Sequence, residues 1–201
     1  MRGELDGCAA SWEKSALLQI IIQGRGGQGA QTAGNLLAMA FFAEGRQVQS
    51  FASYGGARRG TPVSSFIRVD ARPIRVRCDI ERADAILCFD ASLLEGRLLA
   101  AAGRDTLIVV NSSKPHEHFA GALADYRVIP VDGLSISRRL GLGRIVNSAL
   151  LGALARAIGA PQLHVLTRVI IEEAPKLHAE NIAACEAGYQ SVEAQLQGAA
   201  A

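Results

Sequence analysis

The chain has 201 residues, 49% of them hydrophobic and 20% charged, with 21 Lys and Arg against 19 Asp and Glu for a net charge of +2. That length and composition fit one globular domain with a well-buried core, and the near-neutral balance points away from nucleic acid as a partner. No apolar run reaches the roughly 20 residues of a membrane helix, so a membrane partner is not expected either.

Residues 1–16 carry Glu4, Asp6 and Glu13 where a signal peptide would need its apolar core. Export is therefore not expected, and a cytoplasmic location is. These residues read as a poorly ordered arm, with Trp12 as its one large apolar anchor, ahead of a domain spanning 17–197. The domain opens with "LLQIII" (17–22), an apolar run of strand length, followed by the glycine cluster "GRGGQG" and the small-residue helix "AQTAGNLLAMA". "RQVQSF" (46–51) reads as the second strand, completing a βαβ unit. Residues 61–80 alternate apolar and polar positions around a turn-like "DARP", the pattern of a hairpin with one exposed face. Seven arginines lie between Arg58 and Arg82, most of them on that polar side, which suits an anion or a docking surface.

"ADAILCF" (83–89), "TLIVV" (106–110) and "YRVIPV" (126–131) lack polar alternation, as expected of parallel strands covered on both faces. After Asp132 the pattern is helical. "GLSISRRLG" closes at Gly141, "RIVNSALLGALARAIG" closes at Gly159, and Pro161 suits the first position of the next helix. A last helix follows Pro175, and Gly152 with its alanine neighbours permits close helix packing. The fold class is α/β: a single Rossmann-like domain, its mostly parallel sheet covered by helices on both faces, with an inserted β-hairpin and a helical C-terminus.

Gly24, Gly26 and Gly29 spell G-x-G-x-x-G between a strand and a helix, the context of a dinucleotide-binding turn. Such a turn needs an acidic residue at the end of the second strand to hold the ribose hydroxyls. Here the chain reads "QVQSFAS", with Gln49 and Ser50 and no acid, then "SYGGARRGTP" with Arg58 and Arg59 behind a glycine turn. Paired arginines suit a phosphate or a partner's carboxylate. Three uses stay open: ordinary NAD, a coenzyme with a terminal phosphate, or a structural or interfacial turn.

No nucleophile elbow, Walker loop or metal-binding histidine pair is present, and no catalytic set emerges. His116 and His118 flank Glu117 in a polar loop. Asp90, Asn111 and Asp132 at strand ends suit helix capping. Cys8, Cys78, Cys88 and Cys185 are widely spaced with no C-x-x-C, which argues against zinc or an iron–sulfur cluster held wholly by this chain. They read as reduced thiols.

"GRGGQGAQTAGNLLAMA", "VQSFASYGGARRGTPVSSFIRV", "RPIRVRCDIERADAILCFDASLL", "GLGRIVNSALLGALARAIGA" and "AENIAACEAGY" occur in that order over residues 17 to 190. In this the chain resembles the gamma subunits of 2-oxoacid:acceptor oxidoreductases, of which pyruvate:ferredoxin oxidoreductase is the best-known. The resemblance implies a subunit of an enzyme that oxidatively decarboxylates a 2-oxoacid on thiamine diphosphate with Mg2+. Electrons then pass through iron–sulfur clusters to ferredoxin or an NAD-linked flavin subunit, and the acyl group goes to coenzyme A. Alpha and beta subunits would build the thiamine site and a ferredoxin-like delta subunit would hold clusters. The gamma chain, itself without catalytic residues, would support assembly and receive coenzyme A.

By position Gly24, Gly26, Gly27, Gln28 and Gly29 match the family's glycine turn. Tyr54, Gly55, Arg58, Arg59, Gly60, Thr61 and Pro62 match the loop that in relatives often carries a proline and an acid, replaced here by Gly56 and Ala57. Asn147 matches the asparagine opening the penultimate helix. The resemblance thus gives Gly24, Gly26, Gly27, Gln28, Gly29, Tyr54, Arg58, Arg59, Thr61 and Asn147 as candidate coenzyme-binding residues. Two alternatives remain: the same role in an aromatic 2-oxoacid (phenylglyoxylate or indolepyruvate) enzyme, and a freestanding NAD(P)-binding protein.

Overall fold

The computed structural model describes residues 17–54, 60–121 and 123–198. The expected N-terminal arm, with Trp12 and Cys8, lies outside the described residues. Six strands form one sheet: β1 (Leu18–Arg25), β2 (Gln47–Tyr54), β3 (Pro62–Asp70), β4 (Ala83–Cys88), β5 (Ala102–Asn111) and β6 (Arg127–Val131). Their order is β2–β3–β1–β4–β5–β6. β1, β4, β5 and β6 pair in parallel, while β3 lies antiparallel between β1 and β2. Five of the six strands therefore point one way and β3 alone points back.

This corrects the sequence reading in two places. The second strand is not the neighbour of β1; β3 is wedged between them. The reason is apolar content: "VSSFIRV" in β3 is buried along most of its length, whereas β2 alternates glutamine and serine with apolar residues and suits an edge. The hairpin is also displaced. It joins β2 to β3, with Phe51 opposite Phe66, and residues 71–82 contribute no strand. The apolar alternation at Ile74, Val76 and Cys78 was misleading, since Val76 and Cys78 are exposed.

Buried Arg68 explains how that segment is held instead. From β3 its guanidinium donates to the backbone oxygens of Cys78 (2.8 Å) and Asp79 (3.1 Å) and to the side-chain oxygens of Gln49 (2.9 Å) and Gln19 (3.1 Å). Gln19, Arg68 and Gln49 form one row across β1, β3 and β2. Arg68 thus belongs to the interior and not to the arginine-rich surface expected from the sequence.

The helices are α1 (Ala30–Ala43), α2 (Gly96–Ala100), α3 (Gly133–Arg139), α4 (Asn147–Ile158), α5 (Leu163–Glu173) and α6 (His178–Gly198). Alternation along the strands divides the core in two. Ile20, Ile22, Leu87 and Val109 face the layer built by α1, α4, α5 and α6. Ile21, Ile86, Ile108 and Val110 face a thinner layer of Ile80, Leu93, Leu98, Phe119 and Leu123. α5 starts at Leu163, two residues past the expected Pro161, with Gln162 extended and its N–H donating to Glu44 Oε1 at 2.6 Å. α6 starts at His178, because Leu177 adopts a left-handed conformation (φ 57°) after Pro175.

Candidate functional site

The parallel strands deliver their C-terminal ends to one edge, where ligands of open α/β sheets usually sit. Most polar groups there have structural partners. Asp132 accepts from Ser135 N (2.9 Å) and caps α3, and Asp90 accepts from Ser92 N (3.0 Å), the capping roles expected of both. Asn111 donates to Phe89 O (3.2 Å) and accepts from Gly133 N (3.1 Å), tying β5 to the ends of its neighbours. Gln23 Nε2 donates to Ser64 Oγ (3.3 Å), and the side-chain oxygen Oε1 of Gln23 is buried without a partner.

The glycine turn runs from the end of β1 into α1. Gly27 and Gly29 take φ of 94° and 89°, which glycine adopts without the strain a side chain would bring. A Cβ on Gly29 would lie 2.5 Å from Asn147 Nδ2, and one on Gly24 would lie 3.1 Å from Phe89 Cβ and 3.2 Å from Ala30 Cβ. Gly29 is therefore required by its packing against Asn147 of α4, and Gly24 sits in tight contact with Phe89 and Ala30, whatever the turn binds.

Asn147 Nδ2 donates to Gly29 O at 3.3 Å, so two predicted site elements far apart in sequence do meet. Beside Asn147 opens an apolar cleft of about 270 Å³, walled by Leu36, Met39, Ile145, Ile170 and Leu177.

Inside the turn, Gly26 N–H donates to Thr61 O and Gln28 N–H to Arg25 O, both at 2.9 Å. Gln28 folds back so that its side-chain oxygen accepts from Arg25 N at 2.7 Å. The amides of Gly26 and Gln28 are thus engaged within the protein, while α1 opens with no side-chain cap. The backbone of Thr61 lies on the turn. Gly55, Arg58, Arg59 and the side chain of Tyr54 lie outside the described residues.

The topology explains the missing acid. In a dinucleotide-binding unit the strand beside β1 ends near the glycine turn and presents its carboxylate there. Here that neighbour is β3, which begins at this edge with Pro62 opposite Arg25. The place of the acidic strand end is taken by the start of an antiparallel strand.

Sequence reasoning passed over Arg25. Its Nε donates to Asp90 Oδ2 at 2.7 Å, one terminal nitrogen to Ser92 Oγ at 2.8 Å and the other to Gly60 O at 3.4 Å. Burial works to raise the Asp90 carboxyl, but hydrogen bonds from Ser92 and Arg25 and the guanidinium charge hold it below its usual range. The strand register brings them together: β1 and β4 are parallel with Gln23 opposite Cys88, which sets Arg25 and Asp90 side by side two residues further on, a pairing that local sequence pattern does not carry.

A family model described as pyruvate ferredoxin/flavodoxin oxidoreductase matches residues 19–191. The chain belongs to that family. The common gamma subunit of the pyruvate/ketoisovalerate oxidoreductases of Pyrococcus abyssi is 39% identical over 77% of this chain and 85% of its own length. Subunit PorC of pyruvate synthase from Methanocaldococcus jannaschii is 33% identical over 88% of this chain and 97% of its own. Among solved structures, pyruvate oxidoreductase subunit PORC from Thermotoga maritima matches with a TM-score of 0.77 at 28% identity, covering 88% of this chain and 97% of that one. This member of the family is accordingly a gamma-type subunit of a multi-subunit oxidoreductase.

Cys88 faces one side of the sheet and Cys185 the other, and burial pushes both thiols up to about 12. Among the described residues no three His, Cys, Asp or Glu side chains are grouped to hold a metal. His116 and His118 occupy a short turn, where His118 packs edge-on against Phe119 at 5.2 Å. No helix among the described residues is long and apolar enough to cross a membrane.

Proposed function

We propose that this chain serves a coenzyme A-acylating 2-oxoacid oxidoreductase as a gamma subunit without catalytic residues of its own. It supports assembly and holds an anionic group beside the glycine turn. The oxidoreductase decarboxylates a 2-oxoacid such as pyruvate or a branched-chain analogue, the substrates in the names of its relatives. Thiamine diphosphate, Mg2+ and iron–sulfur clusters belong to the other subunits, alpha, beta and a ferredoxin-like delta. The anion is a phosphate group of coenzyme A, with a carboxylate of a neighbouring subunit as the other candidate of the same chemistry.

One observation carries this reading. Gly26 N–H bonds to Thr61 O and Arg25 to Gly60 O, so the residues that directly follow Arg58-Arg59 in the sequence rest on the glycine turn, which leads into a helix start without a side-chain cap. Helix-start amides and arginines together suit an anion. An apolar rim supports the assembly role: Met39 and Ile145 stand 38% and 48% exposed at the cleft, and Phe42, one turn beyond Met39, is 72% exposed. The antiparallel β3 beside β1 disfavours the freestanding NAD(P) reading.

In the assembled enzyme, the Arg58→Ala/Arg59→Ala variant should raise the apparent KM for coenzyme A about tenfold or more, the size of a lost charge-assisted contact, or release the subunit from the complex. Unchanged kinetics in an intact assembly would reject the role.

A further inference from the structure

The glycine turn has an unusual mechanical problem. Four of the six residues from Gly24 to Gly29 are glycines, which are entropically costly to hold in place, yet a donor array recognises an anion well only when its geometry is fixed in advance. We propose that Arg25, paired with Asp90, is the positioning residue that fixes this turn: a clasp across the ends of β1 and β4 that sets the aim of the anion-binding amides. The proposal rests on the coenzyme A reading above.

Three observations support it. First, the Arg25 fork reaches three separate segments: the Asp90 carboxylate at the end of β4, the Ser92 hydroxyl in the following turn and the Gly60 carbonyl ahead of β3. Second, the backbone of the same residue closes the turn from inside. Its N–H donates to Gln28 Oε1 and its carbonyl accepts from Gln28 N–H, so movement of Arg25 moves Gly27 to Gly29. Third, Asp90 is itself immobilised. Its second oxygen accepts from both Ser92 N (3.0 Å) and Ser92 Oγ (2.7 Å).

Stability is not a sufficient reason for such an arrangement. The Arg25 and Asp90 side chains are 40% and 27% exposed, and ion pairs so open to solvent contribute little to folding. What the clasp supplies is direction, since a planar guanidinium with several donors fixes angles that a single ammonium does not. Arg25 touches no coenzyme in this scheme; it acts through the turn.

The test uses the assembled enzyme with Arg25→Ala, Arg25→Lys, Asp90→Asn and Asn147→Ala, reading kcat, the KM for coenzyme A and the KM for the 2-oxoacid. Arg25→Ala and Asp90→Asn should raise the KM for coenzyme A about tenfold through misaligned donors. Subunit content, kcat and the 2-oxoacid KM should stay within about twofold. Arg25→Lys should recover only part of the loss. A KM for coenzyme A raised by Asn147→Ala but unmoved by Arg25→Ala would overturn the clasp and leave the coenzyme reading standing. Loss of the subunit, or a fall in kcat with every KM disturbed together, would mark Arg25 as merely structural and overturn the proposal. If none of the four variants moves the KM for coenzyme A, the reading beneath it falls and the clasp with it.

Discussion

Arg68 is 1% exposed, and the acceptors around its guanidinium are amide oxygens, two from glutamine side chains and two from the backbone of residues 78 and 79. The Phe51 ring lies 5.7 Å from its guanidinium carbon. A buried cation with this many partners is held for geometry: it fastens an otherwise irregular segment to three strands at once. Arg68→Met keeps volume but strips those acceptors, and the protein should lose about 2–4 kcal/mol of stability in urea melts. Arg68→Lys should also fall short, because a compact ammonium has three donors and no fork. Trypsin offers a local readout, since Arg75, Arg77 and Arg82 all lie in or beside the fastened segment. Faster cleavage there in the variant is expected, and an unchanged digestion pattern would count against the fastening role.

At the scale of elements, two glycines let α4 and α6 cross backbone to backbone. Gly152 faces the Cys185 carbonyl and Gly188 faces the Ala149 carbonyl, each so near that an added Cβ has no room. Gly152→Ala should therefore destabilise by about 2–3 kcal/mol despite the better helix propensity of alanine, because overpacking outweighs a propensity gain of about 1 kcal/mol. Gly188→Ala should do the same. Once either forces the helices apart, the second Cβ meets space already opened, so the double variant should cost less than the sum, measured as urea midpoints in a double-mutant cycle. Strict additivity would mean that the two contacts yield independently. The sequence showed Gly152 as a packing position because small residues cluster around it. It also showed β1, β4, β5, β6, the glycine turn and the capping of α3 by Asp132, all written in local pattern. It did not show that β3 takes the interior place, since strand order depends on which of two apolar runs buries more surface across the sheet. Nor did it show Arg25 and Asp90 as partners, since their meeting requires the β1–β4 register.

At the scale of the whole molecule, the sheet is a partition with, among the described residues, one cysteine sealed on each side. Cys88 packs with Ile86 and Phe119 in the thin layer, and Cys185 packs among α4, α5 and α6 in the thick one. Cys78 lies exposed outside both. Burial pushes the sealed thiols up to about 12, which disfavours the thiolate that alkylation needs. Iodoacetamide should therefore label Cys78 in the folded chain and reach Cys88 and Cys185 only through unfolding. The two layers differ in thickness, which by itself favours earlier opening of the Cys88 side. Against this, the layers share every central strand: Ile20, Ile21 and Ile22 alternate between them within three residues, so neither face is exposed without loosening strands that hold the other. The shared strands should dominate, and mapped labelling across a urea series should show Cys88 and Cys185 reacting in one transition, as for a single cooperative unit. Labelling of Cys88 at clearly lower urea, with Cys185 still protected, would show that the thin layer opens on its own and that the sheet does not couple its two faces.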